Sequence, residues 1–332
     1  MTQQNNLLGQ NHIWMPFFAA IKQGRIAHAY LVQGPSGSTY MDVLRAMAKA
    51  LLCQEVLGGF CDLCKVCLRV EHGTYADFHV IVPEAGKITL DKVRGVLDMA
   101  YQYPMEGSRR VFLIQDPERM NIESANMLLK VLEEPPAGTF FLLGTENSAG
   151  VLPTIASRCQ AFRLRPLPEQ EIQSHLEREL GLEPAQAMAI ARLADGSLGS
   201  ARALADADFV ERRQQAIGLL GQLLTRADQA FAMEACKSLA SECARDRESL
   251  IAFVRICLGL LRDAAVLNSG GSFENLIHGD VGTEIQSMAR LRPSRFWPLK
   301  IELTLDLVRK IRANLNTELV LGNYFLALQD EE

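Results

Sequence analysis

Residues 28–52 read HAYLVQGPSGSTYMDVLRAMAKALL: a short apolar run, a turn with two glycines, then apolar residues at the three- and four-residue spacing of a helix. A strand passing through a glycine turn into a helix is a unit of a doubly wound α/β sheet, and it is also where a phosphate loop would sit. A working loop curls backbone amides round the phosphates, sends a lysine to the β and γ phosphates and sets a Ser or Thr hydroxyl on magnesium. Aligned on Gly34 and the helix that follows, the lysine position holds Tyr40 and the hydroxyl position holds Met41, so only Gly34 and Gly37 remain. Taken alone, these glycines need do no more than turn a strand into a helix.

Outward from that unit, the β-rich runs AYLVQ, FHVIVP, RVFLIQD, TFFLLGTE and QAFRLRP alternate with helical patterns from residue 28 to 166. Alternation of this kind predicts a parallel sheet covered by helices on both faces. The helix in NIESANMLLKVLEE opens on the cap-competent Asn121 and is stopped by Pro135 and Pro136. Past Pro166 the strand patterns cease, and short helices punctuated by Gly181, Pro184 and Gly196 follow. The expected organisation is an α/β domain over 1–165, a small helical lid over 166–208 and an all-helical domain over 209–332. In the last, LTLDLVRKIRANLNTELVL offers a long amphipathic face with more apolar residues than one helix pair needs.

Two further features concern metal and nucleotide chemistry. Cys53, Cys61, Cys64 and Cys67 form C-x7-C-x2-C-x2-C, a spacing that can set four thiolates round one ion at about 2.3 Å. Zinc fits a compact knuckle better than an iron-sulfur cluster does, and four protein ligands leave no open position for a catalytic water, so the ion is expected to be structural. The alternatives are a redox C-x-x-C or four unligated thiols; the other four cysteines read as ordinary buried thiols. In RRVFLIQDPERM, an acid would follow the apolar run to hold magnesium, yet that place has Gln115, with Asp116 next and Glu118 two further on. Gln115 cannot supply the anionic ligand, and Asp116 with Pro117 reads as the end of the strand.

The chain has 332 residues, 48% hydrophobic and 22% charged, enough for two or three domains of ~100 to 200 residues each. A net charge of -5 provides no broad basic field to hold nucleic acid by counterion release, so any DNA contact should be local or shared with partners. The N-terminal stretch lacks the basic and long apolar parts of a leader, and no apolar run approaches ~18 residues, so a cytoplasmic location is expected.

Taken together, HAYLVQG, the four-cysteine module, NMLLKVLEEPP, FFLLGTEN and IASRC resemble the clamp-loader branch of the AAA+ proteins in its bacterial form, over most of residues 25–205. The resemblance implies an AAA+ P-loop-type α/β domain, a lid and a helical collar that associates with other subunits. It also implies partners: gamma/tau motor subunits and a delta subunit in a hetero-pentamer, and through that complex a sliding clamp and primer-template DNA in the DNA polymerase III machinery. Against the motor subunits, this chain has Tyr40 and Met41 for the lysine and hydroxyl, Gln115 for the magnesium aspartate, and Gly199 where a sensor arginine would stand. Gly34, Gly37, Tyr40, Met41, Gln115 and Gly199 therefore mark a degenerate nucleotide site, with no bound nucleotide and no ATPase activity expected of the isolated chain.

What the resemblance retains is Arg158 in Ser157-Arg158-Cys159, the arginine that in clamp loaders reaches the γ-phosphate held by the neighbouring subunit. On local sequence alone it reads as a surface arginine at a strand edge; Ser157 and Cys159 are expected to fix the loop. Glu133 and Glu134 point to different sides of a helix end, which is poor geometry for acid/base work, and in the family this block faces the neighbour. His28, His72 and His79 lack a nucleophile or second ligand and read as structural. Two other readings stay open here: a gamma/tau-like ATPase using an atypical loop, with Thr39 supplying the hydroxyl, and a zinc-stabilised adaptor unrelated to replication.

Overall fold

The computed structural model describes residues 9–34, 40–84, 86–206, 208–225, 228–242, 247–312 and 315–330. It divides into two compact units, Met1–Leu167 and Pro168–Glu332.

The first unit runs α1 (Asn11–Lys22), β1 (Ala29–Gln33), α2 (Tyr40–Leu52), α3 (Lys65–Glu71), β2 (Phe78–Ile81), α4 (Leu90–Ala100), β3 (Arg110–Gln115), α5 (Ile122–Glu133), β4 (Thr139–Thr145), α6 (Pro153–Ala156) and β5 (Gln160–Arg163). The strands form one parallel sheet in the order β2-β3-β4-β1-β5, as the alternating runs predict. Period-two alternation splits its core between two faces. Tyr30, Val32, Val111, Leu113 and Leu142 pack on one side with α1 and α2, while Leu31, Phe112, Ile114, Phe141 and Leu143 pack on the other with α4 and α5. Register places Gln33 beside Thr145 and Gln115 beside Gly144, so the C-terminal ends of β1, β3 and β4 lie side by side, where open α/β sheets bind ligands.

Helix α1 was not expected from the sequence. It buries Ile13, Trp14, Phe17 and Ile21, with Phe17 set edge-on to Tyr30 at 5.1 Å. The Gln10 side chain braces its start: Nε2 donates to the Arg165 carbonyl at 2.9 Å and Oε1 accepts the Arg165 N–H at 3.1 Å.

The second unit is helical: α7 (Glu169–Leu180), α8 (Pro184–Leu193), α9 (Leu198–Asp206), α10 (Phe209–Thr225), α11 (Gln229–Glu242), α12 (Arg247–Asn268), α13 (Gly282–Ala289), α14 (Phe296–Arg312) and α15 (Thr317–Gln329). Helix α12 is its centre, touching α8, α9, α10, α13 and α14. The helices on either side of the expected boundary at 208 thus lie in one compact unit. The long face expected over LTLDLVRKIRANLNTELVL is interrupted. Helix α14 ends at Arg312, and Asn316 caps α15 by accepting the Leu319 N–H at 3.1 Å. An Asn side chain that satisfies the backbone in this way starts a helix rather than continuing one.

Candidate functional site

The residue in the lysine position is the first of α2, and its side chain turns inward. Tyr40 is buried, and its hydroxyl donates to Asp116 Oδ1 at 2.7 Å across 76 positions of sequence. Asp116 follows β3 in the left-handed conformation, with φ 48° and ψ 62°, and its N–H donates to the Gly144 carbonyl at 2.8 Å. A non-glycine residue held there reflects a local demand, met here by the bonds on both sides of it. The phenol ring lies on β4 because residue 144 is a glycine: a Cβ at that position would stand 2.4 Å from Tyr40 Cδ2 and 2.6 Å from Leu44 Cδ1. Gln115 Nε2 donates to Asp116 Oδ2 at 3.4 Å, and Thr145 Oγ1 donates to Glu118 Oε1 at 2.8 Å. The Gly34 N–H donates to the Thr145 carbonyl at 3.0 Å, while Met41 is half-buried against the core on the α1 side. Gly37 and Thr39 lie outside the described residues, and Gly199 sits in the first turn of α9, in the second unit.

The electrostatics follow from these positions. Burial, the hydrogen bond to Asp116, and the nearby Asp116, Glu146 and Glu118 charges all drive the Tyr40 phenol far above its ordinary value, so it is a neutral donor. Burial also raises the Glu118 carboxyl. Where an ammonium would draw phosphates in, there is a neutral phenol locked to a carboxylate and surrounded by acidic groups. That arrangement opposes a polyanion.

The four cysteines of the module converge, their Sγ atoms all within 4.8 Å of one another. Cys53 to Cys61 and Cys61 to Cys67 are each 3.9 Å, against ~3.8 Å for the edge of a tetrahedron with metal–sulfur bonds of about 2.3 Å. The Cys64 N–H donates to Cys61 Sγ at 3.3 Å, and the Cys67 N–H to Cys64 Sγ at 3.4 Å as Cys64 caps α3. Burial works against ionising Cys61, but hydrogen bonds from the Leu63 and Cys64 N–H groups and with the Cys64 and Cys53 thiols together bring it down to about 7. This donor set fits a tetrahedral, thiolate-bound metal ion. Lys49 ties the module to α2, reaching Asp62 at 2.6 Å and Glu71 at 2.9 Å. Of the other cysteines, Cys236 and Cys257 are buried, Cys159 is half-buried with its thiol pushed up to about 12 by burial, and Cys243 lies outside the described residues.

Arg158 follows the single turn of α6. Its Nη2 donates to Glu133 Oε1 at 2.5 Å and its Nη1 to the Thr154 carbonyl at 2.9 Å. The two ends of the motif pair, LEEPP and SRC, are thereby joined, a contact that sequence reasoning missed. Both side chains are partly exposed, at 34% and 50%, so the pair is worth only ~0 to 1 kcal/mol. Ser157 Oγ donates to the Thr154 carbonyl at 3.1 Å, consistent with a loop-fixing part. His28 Nε2 and His79 Nε2 are buried and have no hydrogen-bond partner among the described residues, and His79 stacks on Phe112 at 5.1 Å. Burial, then the Arg110 charge, lowers the His79 pKa, as suits a neutral core ring.

Comparison with known proteins agrees with these blocks. The family described as "DNA polymerase III, delta subunit" matches residues 9–168. The chain is 36% identical over 199 residues to DNA polymerase III subunit delta' of Escherichia coli K12, covering 59% of this chain and 60% of that one. It is 25% identical over 321 residues to the subunit delta' of Bacillus subtilis, covering 97% and 96% respectively. To subunit tau of Salmonella typhimurium it is 33% identical over 207 residues, covering 60% of this chain but 32% of the relative. Its match to the E. coli relative thus spans 60% of that protein's length. The α/β unit is matched almost from end to end, and the relatives it resembles are DNA polymerase III subunits of the delta' and the tau or gamma kinds.

Proposed function

We propose that this protein is an ATPase-inactive member of a DNA polymerase III clamp loader, a stator that lends Arg158 to the nucleotide site of a neighbouring subunit. The observation that carries the reading is Tyr40: the place of the phosphate-binding lysine is filled by a buried phenol bonded to Asp116. Met41 and Gln115 supply neither the hydroxyl nor the anion that magnesium needs. Arg158, by contrast, is half-exposed and held by Glu133, the Thr154 carbonyl and, at 3.5 Å, the Ser157 hydroxyl. A guanidinium presented to a transferring phosphoryl neutralises charge spreading over its equatorial oxygens and contributes roughly 10^3 to 10^5 in rate. In this reading Arg158 exchanges Glu133 for the γ-phosphate held by a gamma/tau subunit.

Cys53, Cys61, Cys64 and Cys67 would hold a structural zinc, which supplies folding free energy to the module and no chemistry at the nucleotide. The lid over 166–208 and the collar over 209–332 complete the proposed architecture, with the collar joining gamma/tau and delta subunits in a hetero-pentamer that places a sliding clamp on primed DNA. Titration of the isolated chain with ATP and magnesium tests the first half of the proposal. No saturable binding in the micromolar range is expected; binding there would sink the inactive-site reading in favour of a gamma/tau-like ATPase. Failure to form a stable complex with gamma/tau and delta, followed by mass, would favour an adaptor outside replication.

A further inference from the structure

Within the helical unit, a cavity of about 430 Å³ opens between the end of α8, one face of α12 and one face of α14. Four arginines line it: Arg192, Arg255, Arg262 and Arg309. Their helical spacing explains the convergence, since Arg255 and Arg262 stand two turns apart on α12 and Arg309 stands one turn beyond Leu305 on α14, which packs against α12. Leu193, Leu258, Leu305 and Val308 supply an apolar floor.

Arg192 and Arg262 are each held by a neutral acceptor beside a carboxylate. Arg192 donates to the Leu276 carbonyl and Arg262 to the Asn275 carbonyl at 3.4 Å. The acids in reach neutralise them incompletely. Glu169 is half exposed and stands 3.5 Å from Arg192. Asp263 meets Arg262 at 3.1 Å, but already accepts the N–H groups of Ile277 and His278 at 2.9 and 2.8 Å. Asp195 is the one carboxylate in the lining, held left-handed at φ 56°. Among the described residues Arg309 has no hydrogen-bond or ion-pair partner.

We infer that this cavity binds a phosphate-bearing anion of nucleotide size, either a free small molecule or one unit of a nucleic-acid strand. Guanidinium forks match phosphate oxygens two at a time, and the apolar floor suits the uncharged part of such a ligand. The volume falls within the ~300 to 1,000 Å³ of small-molecule sites. This site lies in the second unit, apart from the vestigial nucleotide position, and stands whether or not the clamp-loader reading holds.

The full chain is titrated at low ionic strength with pyrophosphate by calorimetry and with a fluorescein-labelled oligothymidylate by anisotropy. Three proteins are compared: wild type, Arg255→Gln/Arg309→Gln and Asp195→Asn. Removing two guanidinium groups is expected to weaken binding at least about tenfold, with added salt weakening the wild type too. Asp195→Asn removes the opposing charge, and Asn tolerates the left-handed backbone. It is expected to tighten binding about threefold, a gain that a damaged fold could not produce. Oligonucleotide binding displaced by pyrophosphate identifies a strand as the source, whereas pyrophosphate binding alone identifies a free phosphate compound. No binding of either probe, or binding unchanged in both variants, overturns the inference.

Discussion

Tyr40→Phe removes one oxygen from the place where a phosphate-binding lysine would be. The lost bond is 2.7 Å long, runs to a carboxylate and begins on a buried ring, so the variant keeps the packing on Gly144 and loses only the hydrogen bond. A bond to a charged acceptor contributes ~1.5 to 3 kcal/mol, and because Asp116 is half-buried, water can take part of the phenol's place. The expected cost near neutral pH is therefore about 1 to 2 kcal/mol, read from urea unfolding with both proteins at the same m-value.

Alkaline pH adds a second signature. Burial, reinforced by Asp116, raises the folded-state phenol above the ordinary 10.0, so the stability it contributes is complete below that value and is lost as pH rises beyond it. The unfolded wild type ionises there and the folded wild type does not, so its stability falls by up to ~1.4 kcal/mol per pH unit from this residue. Tyr40→Phe lacks that loss. The gap between the two proteins should narrow above pH 10 and then reverse. Equal stability at neutral pH, or a gap that widens with pH, would refute the picture of a neutral phenol locked to Asp116.

Gly144→Ala puts a Cβ into the Tyr40 and Leu44 side chains, and the overpacking should cost about 1 to 3 kcal/mol in the same unfolding assay. Freshly reduced protein should carry about one equivalent of zinc by elemental analysis, given the four converging thiols. Cys64→Ser should lower that content and the melting temperature together, and chelator should no longer destabilise the variant as it does the wild type.

The sheet was legible because its signals are local: each strand is an apolar run, and each helix that covers it carries its own period. The clustering of the four thiols was legible for the same reason, since all of them fall between Cys53 and Cys67. Contacts between distant positions were not. Nothing near Tyr40 announces Asp116, and nothing near Arg158 announces Glu133, because the pairing depends on how β3, α5 and α6 are laid side by side. The same holds for the buried Arg110–Asp77 pair at 2.8 Å, which fastens β3 to the start of β2. Helix α11 carries a weak apolar period because its buried positions, Ala232, Cys236 and Leu239, include only one large apolar side chain. In α1, Pro16 falls inside the pattern of Ile13, Trp14, Phe17 and Ile21 and masks its helical period.

The central claim is that a chain with no working nucleotide site of its own completes a neighbour's. Its most direct measurement is DNA-stimulated ATP hydrolysis by a clamp loader reconstituted with Arg158→Ala in this chain and wild-type gamma/tau and delta subunits. The exposed Arg158–Glu133 pair contributes little to folding, so assembly should be preserved. Hydrolysis at the site this chain faces should fall by roughly 10^3 or more. An intact complex whose stimulated hydrolysis is unchanged at every site would contradict the account.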